Sequence, residues 1–310
     1  MLVCFSLPFV QMIDVLTHVL DTVRLKSSLY CRSELGSPWG LHFARHSCAV
    51  FHVLYQGCGS LQICGDADPI ELGAGDVVLL PGGDEHSIVE MVDAPVLHSI
   101  RLDQWGECAL MRWSDDPTAI LLCGTFDFEH PEMLPLLKQL PRVLRIPHTE
   151  AGTLNQVLAL MVVEAEAERP ARQVVLRRLA DILFIQIIQR WVEIAGVERC
   201  GWLGALHDPV IEEALRLIHT QPHQPWTVAS LARAVACSRA SFAARFRARV
   251  GEAPMAYLTR WRMQQAALLL GAQPSPSITE VAEQVGYRSA AAFSKAFKRQ
   301  LGAAPKTYRQ

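Results

Sequence analysis

The last third of the chain is written twice. Residues 226–258 (WTVASLARAVACSRASFAARFRARVGEAPMAYL) and 277–309 (SITEVAEQVGYRSAAAFSKAFKRQLGAAPKTYR) share one pattern. A Thr-led apolar stretch is followed by a Ser-led stretch with two Phe four apart, then Gly-x-x-Pro-x-x-Tyr. Phe242/Phe293, Phe246/Phe297, Gly251/Gly302, Pro254/Pro305 and Tyr257/Tyr308 are each 51 residues apart. Thr227/Thr279 and Leu231/Val281–Ala282 match more loosely, with Ser277 able to cap in place of Thr279. Each copy predicts a first helix (229–235 and 279–285), a tight turn, and a second helix opened by Ser238 or Ser289 as N-cap. Gly286 suits the left-handed residue such a turn requires. Phe residues four apart share a helix face and point to a core. The opposite face carries Arg239, Ala243 and Arg247 in one copy and Ser294, Lys295 and Lys298 in the other. One copy alone would suit a plain helical bundle with a solvated basic face. Two copies predict paired helix-turn-helix units, 229–249 and 279–300.

Charge supports that reading. The whole chain carries only −2, yet residues 208–310 hold 14 Lys/Arg against 6 Asp/Glu, a balance of +8, and the remainder carries −10. A basic module on an acidic body suits a polyanion partner for the module alone. At 310 residues two domains are expected. Half the residues are hydrophobic and 19% charged, which excludes a disordered chain. Apolar runs fall short of the ~20 residues a membrane helix needs. The opening MLVCFSLPFV lacks the basic start and small-residue cleavage site of a signal peptide. Nine scattered cysteines without a CxxC pair fit a reduced, cytoplasmic protein.

Upstream, residues 12–26 read as a helix with Ile13, Leu16, Leu20 and Val23 on one face. From about 39 to 128, short β-rich runs between Gly, Asp and Pro turns predict an all-β barrel or sandwich. Residues 131–196 read as helical, with Pro170 able to open the second of two long helices. That helix is apolar over a wide arc, for burial within the chain or a dimer contact. Gly201, Gly204 and Pro209 mark a linker over 201–209.

The duplicated module resembles the DNA-binding domain of the AraC/XylS family of bacterial transcription regulators. That resemblance implies two recognition helices, 238–249 and 289–300, joined by a long helix at 254–270 and inserted into successive major grooves. Arg239, Ala240, Ala243 and Ala244, with Ala290, Ala291, Ser294 and Lys295, would face bases; Arg247, Lys298 and Arg299 would meet phosphates. The many alanines depart from the long polar residues common in the family; alanine can touch a thymine methyl but donates no hydrogen bond.

Gly75-DVVLL-Pro81-Gly-Gly83-Asp-Glu-His86 resembles the second cupin motif, and His52 falls where the first supplies histidines. Position 54 is Leu, so the usual metal triad is incomplete. PWGLHF, FHVLYQG, LGAGDVVLLPGGDEH and LLCGTFDF in order resemble the cupin-type sensor of one branch of AraC-type regulators. The expected fold is thus α+β: a cupin/jelly-roll β-barrel sensor at 1–130, a helical dimerisation or relay region at 131–200, a linker at 201–209 and an all-α DNA-binding domain at 210–310. Three sensing constellations stay open. His52 and His86, with Cys123 or Glu90, could hold Zn²⁺. Cys31 and Cys123 resemble in position the sensing cysteines of a reactive-chlorine-responsive member, though Cys31 is two residues out of register counted back from Trp39. A small organic effector could sit between Trp39, His52 and His86. The expected function is a sequence-specific transcription regulator, an activator contacting RNA polymerase and promoter DNA as a homodimer. The rivals are a metal-dependent cupin enzyme with an appended helical domain and a nonspecific architectural DNA-binder.

Overall fold

The computed structural model describes residues 25–66, 68–92, 94–100, 109–128, 140–167, 169–199, 205 and 208–309. The chain divides into two compact units, residues 24–203 and 204–310. No helix among the described residues is long and apolar enough to cross a membrane.

The first unit is built on eleven strands: β1 (Leu25–Leu35), β2 (Gly40–Phe43), β3 (Ala49–Gln56), β4 (Gly59–Ile63), β5 (Ile70–Leu72), β6 (Val77–Leu80), β7 (His86–Val89), β8 (His98–Ile100), β9 (Ala109–Arg112), β10 (Ala119–Phe128) and β11 (Leu144–Ile146). They form a six-stranded sheet, β11-β6-β3-β10-β1-β9, and a five-stranded sheet, β5-β4-β7-β2-β8. The expected barrel is therefore two open sheets. The pairings are antiparallel except β1–β9 and β2–β8.

Alternation along the central strands sets the layers. Val50 and Leu54 of β3 and Leu121 and Cys123 of β10 join the inter-sheet core with Leu61, Ile63 and Ile88. Phe51 and Phe126 point the other way and stack at 4.8 Å. Two helices, α1 (Leu154–Glu166) and α2 (Arg172–Arg199), follow the strands. Phe184 of α2 meets Phe126 and Phe128 edge-on at 5.1 and 5.2 Å. A sheet covered on both faces needs near-continuous apolar strands, which is why β3 is buried from Ala49 to Leu54.

Two readings of local structure are corrected. The strand β1 opens at Leu25, inside the predicted helix 12–26; residues 12–24 of that helix lie outside the described residues. The region read as helical from 131 contains β11, which pairs with β6 from Leu144↔Leu79 to Ile146↔Val77. Asp76 accounts for this. Its buried carboxylate accepts hydrogen bonds from the backbone N–H of Gly73 and His148 (3.1 and 2.9 Å) and pairs with Arg145 at 2.8 Å, which pins the segment to the sheet. Gly75, at φ +85°, leaves space for His148: a β-carbon there would lie 2.2 Å from its Nδ1.

The second unit is helical: α3 (Pro209–Thr220), α4 (Val228–Ala234), α5 (Arg239–Val250), α6 (Pro254–Leu270), α7 (Ile278–Gln284), α8 (Ala290–Leu301) and α9 (Pro305–Tyr308). The linker read over 201–209 overlaps this unit, since Asp208 caps α3 and Pro209 begins it; residues 201–204, 206 and 207 lie outside the described residues. Both copies of the repeat are built alike. Thr227 and Ser277 cap their first helices with reciprocal capping boxes. Ser238 and Ser289 cap the second helices. Gly251 and Gly302 end those helices in the left-handed region, and Pro254 and Pro305 start the next. Tyr257 and Tyr308 return to pack edge-on against Phe246 and Phe297 (5.8 and 5.1 Å). The shared Gly-x-x-Pro-x-x-Tyr is therefore a stop, a restart and a clasp. The counterpart of Thr227 is Ser277 rather than Thr279.

Candidate nucleic-acid interface and sensor core

In α5, Phe242, Phe246 and Val250 are buried; in α8, Phe293, Ala296 and Phe297 are. The other sides of these helices are open. Arg239, Ala240, Ala244 and Arg247 are exposed and Ala243 is half-buried on α5. Ala291, Lys295, Lys298 and Arg299 are exposed and Ala290 and Ser294 half-buried on α8. All eleven residues expected to meet DNA are thus accessible on the two helices that follow the tight turns. Those helices, α5 and α8, begin and end one residue later than the expected 238–249 and 289–300. A helix presenting alanines to a groove allows close approach; its cations suit phosphate oxygens.

Sequence reasoning missed Arg288. The first-helix caps are 50 residues apart and the second-helix caps 51, so the second turn has one residue more than the first. Arg288 occupies that turn, exposed beside the N-cap Ser289. Aligning the caps instead of the Phe pairs would have revealed it.

In the sandwich, three of the proposed sensing side chains form one chain of hydrogen bonds. His86 Nδ1 lies 2.6 Å from the Asp84 carbonyl, which can only accept, so this nitrogen carries the proton. Burial drives His86 down to about 4, so the ring is neutral near pH 7 and its Nε2 accepts. His52 Nε2, 2.7 Å away, must then donate. Burial, then the neighbouring His86, hold His52 well below the ordinary histidine range, so its Nδ1 is an acceptor. The Cys123 thiol, 3.1 Å from that Nδ1, is the donor that remains. Burial, followed by Cys31, pushes this thiol well above its ordinary range, in keeping with a held proton. The chain therefore runs Cys123 S–H to His52, His52 N–H to His86 and His86 N–H to the Asp84 carbonyl. Cys31 lies directly opposite Cys123 in the β1–β10 register, and both are buried.

The expected zinc site is assembled only in part: His52 and His86 converge through their Nε2 atoms, but no third ligand joins them. His52 turns one ring edge to His86 and the other to Cys123, so the three cannot share one ion. Glu90 accepts instead from Ser37 at 2.8 Å. Among the described residues no group of three His, Cys, Asp or Glu could hold a metal. The space expected for an organic effector is filled: Phe43 stacks on His86 and tilts against His52, with centroids at 4.9 and 4.5 Å, while Trp39 packs on Gly59. A cleft of about 480 Å³ is lined instead by His42, Gln62, Cys64, Asp68, Glu85 and Ser87, with His86 in its wall.

Comparison with known proteins agrees with both units. A cupin family model matches residues 14–193 and a helix-turn-helix domain model residues 231–310. A putative AraC-like transcription regulator of Streptomyces antibioticus is 33% identical, over 96% of this chain and 98% of that protein. The HTH-type transcriptional regulator AlkR of Acinetobacter baylyi is 29% identical over 96% of this chain and 98% of its own. The RCS-specific transcriptional activator RclR of Escherichia coli is 27% identical over 96% and 97%. These relatives are regulators, and nothing favours the cupin-enzyme alternative. The chain belongs to the AraC family of transcription regulators, a cupin-type unit followed by a helix-turn-helix unit that binds promoter DNA.

Proposed function

We propose that this regulator is a cytoplasmic homodimeric activator that contacts RNA polymerase, and that its sandwich senses a small oxidant through Cys31 and Cys123. The carrying observation is the bond from the Cys123 thiol to His52, with Cys31 directly across the strand pair. Oxidation changes that bond in kind. With hypochlorous acid, two thiols give one disulfide, water, chloride and a proton; the sulfur of Cys123 then has no hydrogen to donate. His52 Nδ1 is left buried without its donor, a penalty of about 1–3 kcal/mol against the reduced packing. A penalty borne by one arrangement and not another is what shifts a population. Burial of both thiols favours a small, uncharged oxidant over a charged one. The activator name of the Escherichia coli relative, specific for RCS, supports the same reading. The dimer reading is supported by Leu160 and Val163 on α1 and Val174, Val175 and Ile182 on α2, all exposed apolar residues.

The test is to titrate the full chain with hypochlorous acid, map disulfides by mass spectrometry and measure promoter-fragment affinity in parallel. A Cys31–Cys123 bond that forms with the affinity change, both lost in Cys123→Ala, is expected. An affinity change with both thiols intact would overturn the reading. It would favour the second one, an effector in the cleft beside His42 and Glu85, which Glu85→Gln would weaken.

A further inference from the structure

The first recognition helix carries four arginines, Arg239, Arg245, Arg247 and Arg249, but they are not equivalent. Arg245 and Arg249, one turn apart, both face Asp208, their Nε atoms 2.7 and 3.7 Å from its Oδ2. Asp208 is no ordinary surface partner. Its side chain is 4% exposed, and its Oδ1 accepts from the backbone N–H of Val210 and Ile211 at 3.1 and 3.3 Å, capping α3. The carboxylate cannot swing away with an arginine without uncapping that helix. Arg247 sits ~160° round the helix from both paired arginines. It lies on the open side with Ala240 and Ala244. The second copy supplies a contrast. At the repeat spacing, Arg245 and Arg249 correspond to Ala296 and Gln300, while Arg247 corresponds to Lys298. The groove-side cation Arg247 is kept as Lys298, while Arg239 has Ala290 as its counterpart; the extra pair occurs only in the copy that has the carboxylate.

We infer that Asp208 limits how strongly this regulator grips DNA of any sequence: it withholds Arg245 and Arg249 from DNA phosphates, so that α5 engages DNA through Arg239 and Arg247. Arginine on phosphate strengthens binding to every sequence alike. Two more such contacts would raise affinity for promoter and random DNA by the same factor and make both more salt-dependent.

The experiment uses the full chain, a promoter site selected from random duplexes by the wild-type protein, and a random duplex of equal length. Affinities for both are measured by anisotropy from 50 to 200 mM KCl. Asp208→Asn keeps a capping side chain but removes the charge. It is expected to steepen the slope of log affinity against log salt by about 0.9 for each arginine released. Across that salt range the variant then loses about 3.5-fold more affinity than wild type for one released arginine, or about 12-fold more for two. At the low-salt end its affinity rises for both duplexes by the same factor, so its preference for the selected site stays as in wild type. Arg245→Gln with Arg249→Gln in the Asp208→Asn background restores the wild-type slope; in the wild-type background the same pair leaves the slope unchanged. That last arm keeps the idea testable even if Asp208→Asn folds poorly. A shallower slope from the arginine pair alone would mean that these arginines already touch phosphate, and it overturns the inference. So does an Asp208→Asn protein of native helicity with unchanged slope.

Discussion

Replacing Gly286 by alanine should unmake the second helix-turn-helix. The residue lies at φ +82° between α7 and α8. A left-handed backbone costs an L-residue about 1–2 kcal/mol. The methyl group adds a collision: it would lie 2.7 Å from the His223 carbonyl oxygen, 2.8 Å from Arg262 Nη2 and 2.9 Å from His223 Cα. Two of those atoms are backbone, so neither can rotate aside. The third belongs to an arginine that donates from Nε to the Pro222 carbonyl and from Nη2 to the Gln224 carbonyl, both at 2.7 Å, fastening the 222–224 loop to α6. Loss of one such charged hydrogen bond costs about 1.5–3 kcal/mol. Together the change should cost about 3–5 kcal/mol. The first copy provides the control. Ala236 already sits at φ +53° in the corresponding turn, so Ala236→Gly should lie within about 1 kcal/mol of wild type. Hydrogen exchange on the full chain reads both, with β3 and β10 peptides as the internal standard. Gly286→Ala should lower protection of α7 and α8 by at least about 100-fold and weaken promoter binding, while the strands keep theirs. A loss below about 1 kcal/mol would show that the loop yields freely and would refute the collision argument.

Acid should weaken the sandwich before its carboxylates titrate. His86 is held at about 4 when folded and returns to about 6.5 when unfolded, so the unfolded chain binds more protons between those values. The stability is whole above pH ~6.5 and is lost as pH falls toward ~4, up to about 3 kcal/mol from His86. Chemical denaturation of the first unit at stepped pH checks this, and a flat profile across that window would exclude a neutral buried His86. His52→Leu should destabilise the same unit by about 1–3 kcal/mol by stranding Cys123 and His86, measured by thermal melts. Arg239→Ala should cost about 1–3 kcal/mol in promoter binding and relax preference at one base position, read by selection from random duplexes; an unchanged motif removes Arg239 from base readout. Ile182→Glu on α2 should lower the solution mass toward that of one chain by analytical ultracentrifugation if the helices form the dimer.

The duplicated module was legible because its signals are local. Caps, left-handed glycines and Phe pairs four apart each act within a turn or two of helix, and each recurs in the second copy. The one slip there, pairing Thr227 with Thr279, came from anchoring the alignment on the Phe residues; the extra residue lies between the caps and the Phe pairs. The sandwich was less legible because its determinants are distant. β11 reads as an apolar helical stretch until Asp76, some 70 residues earlier, takes His148 and Arg145. β1 carries Arg32, Ser33 and Glu34 within its run, and the strands that hold it, β10 and β9, lie far along the chain. The histidines were visible as candidates, but their partners were not. His52 and His86 could be named as two inward residues on neighbouring runs, which suggested a shared metal. What the sequence does not carry is orientation: a backbone carbonyl, at Asp84, fixes one proton on His86, and every donor along the chain to Cys123 follows from that choice. Composition and spacing carry no information about that proton. Hydrogen bonds alone therefore link the Cys123 sulfur to His86, in the cleft wall.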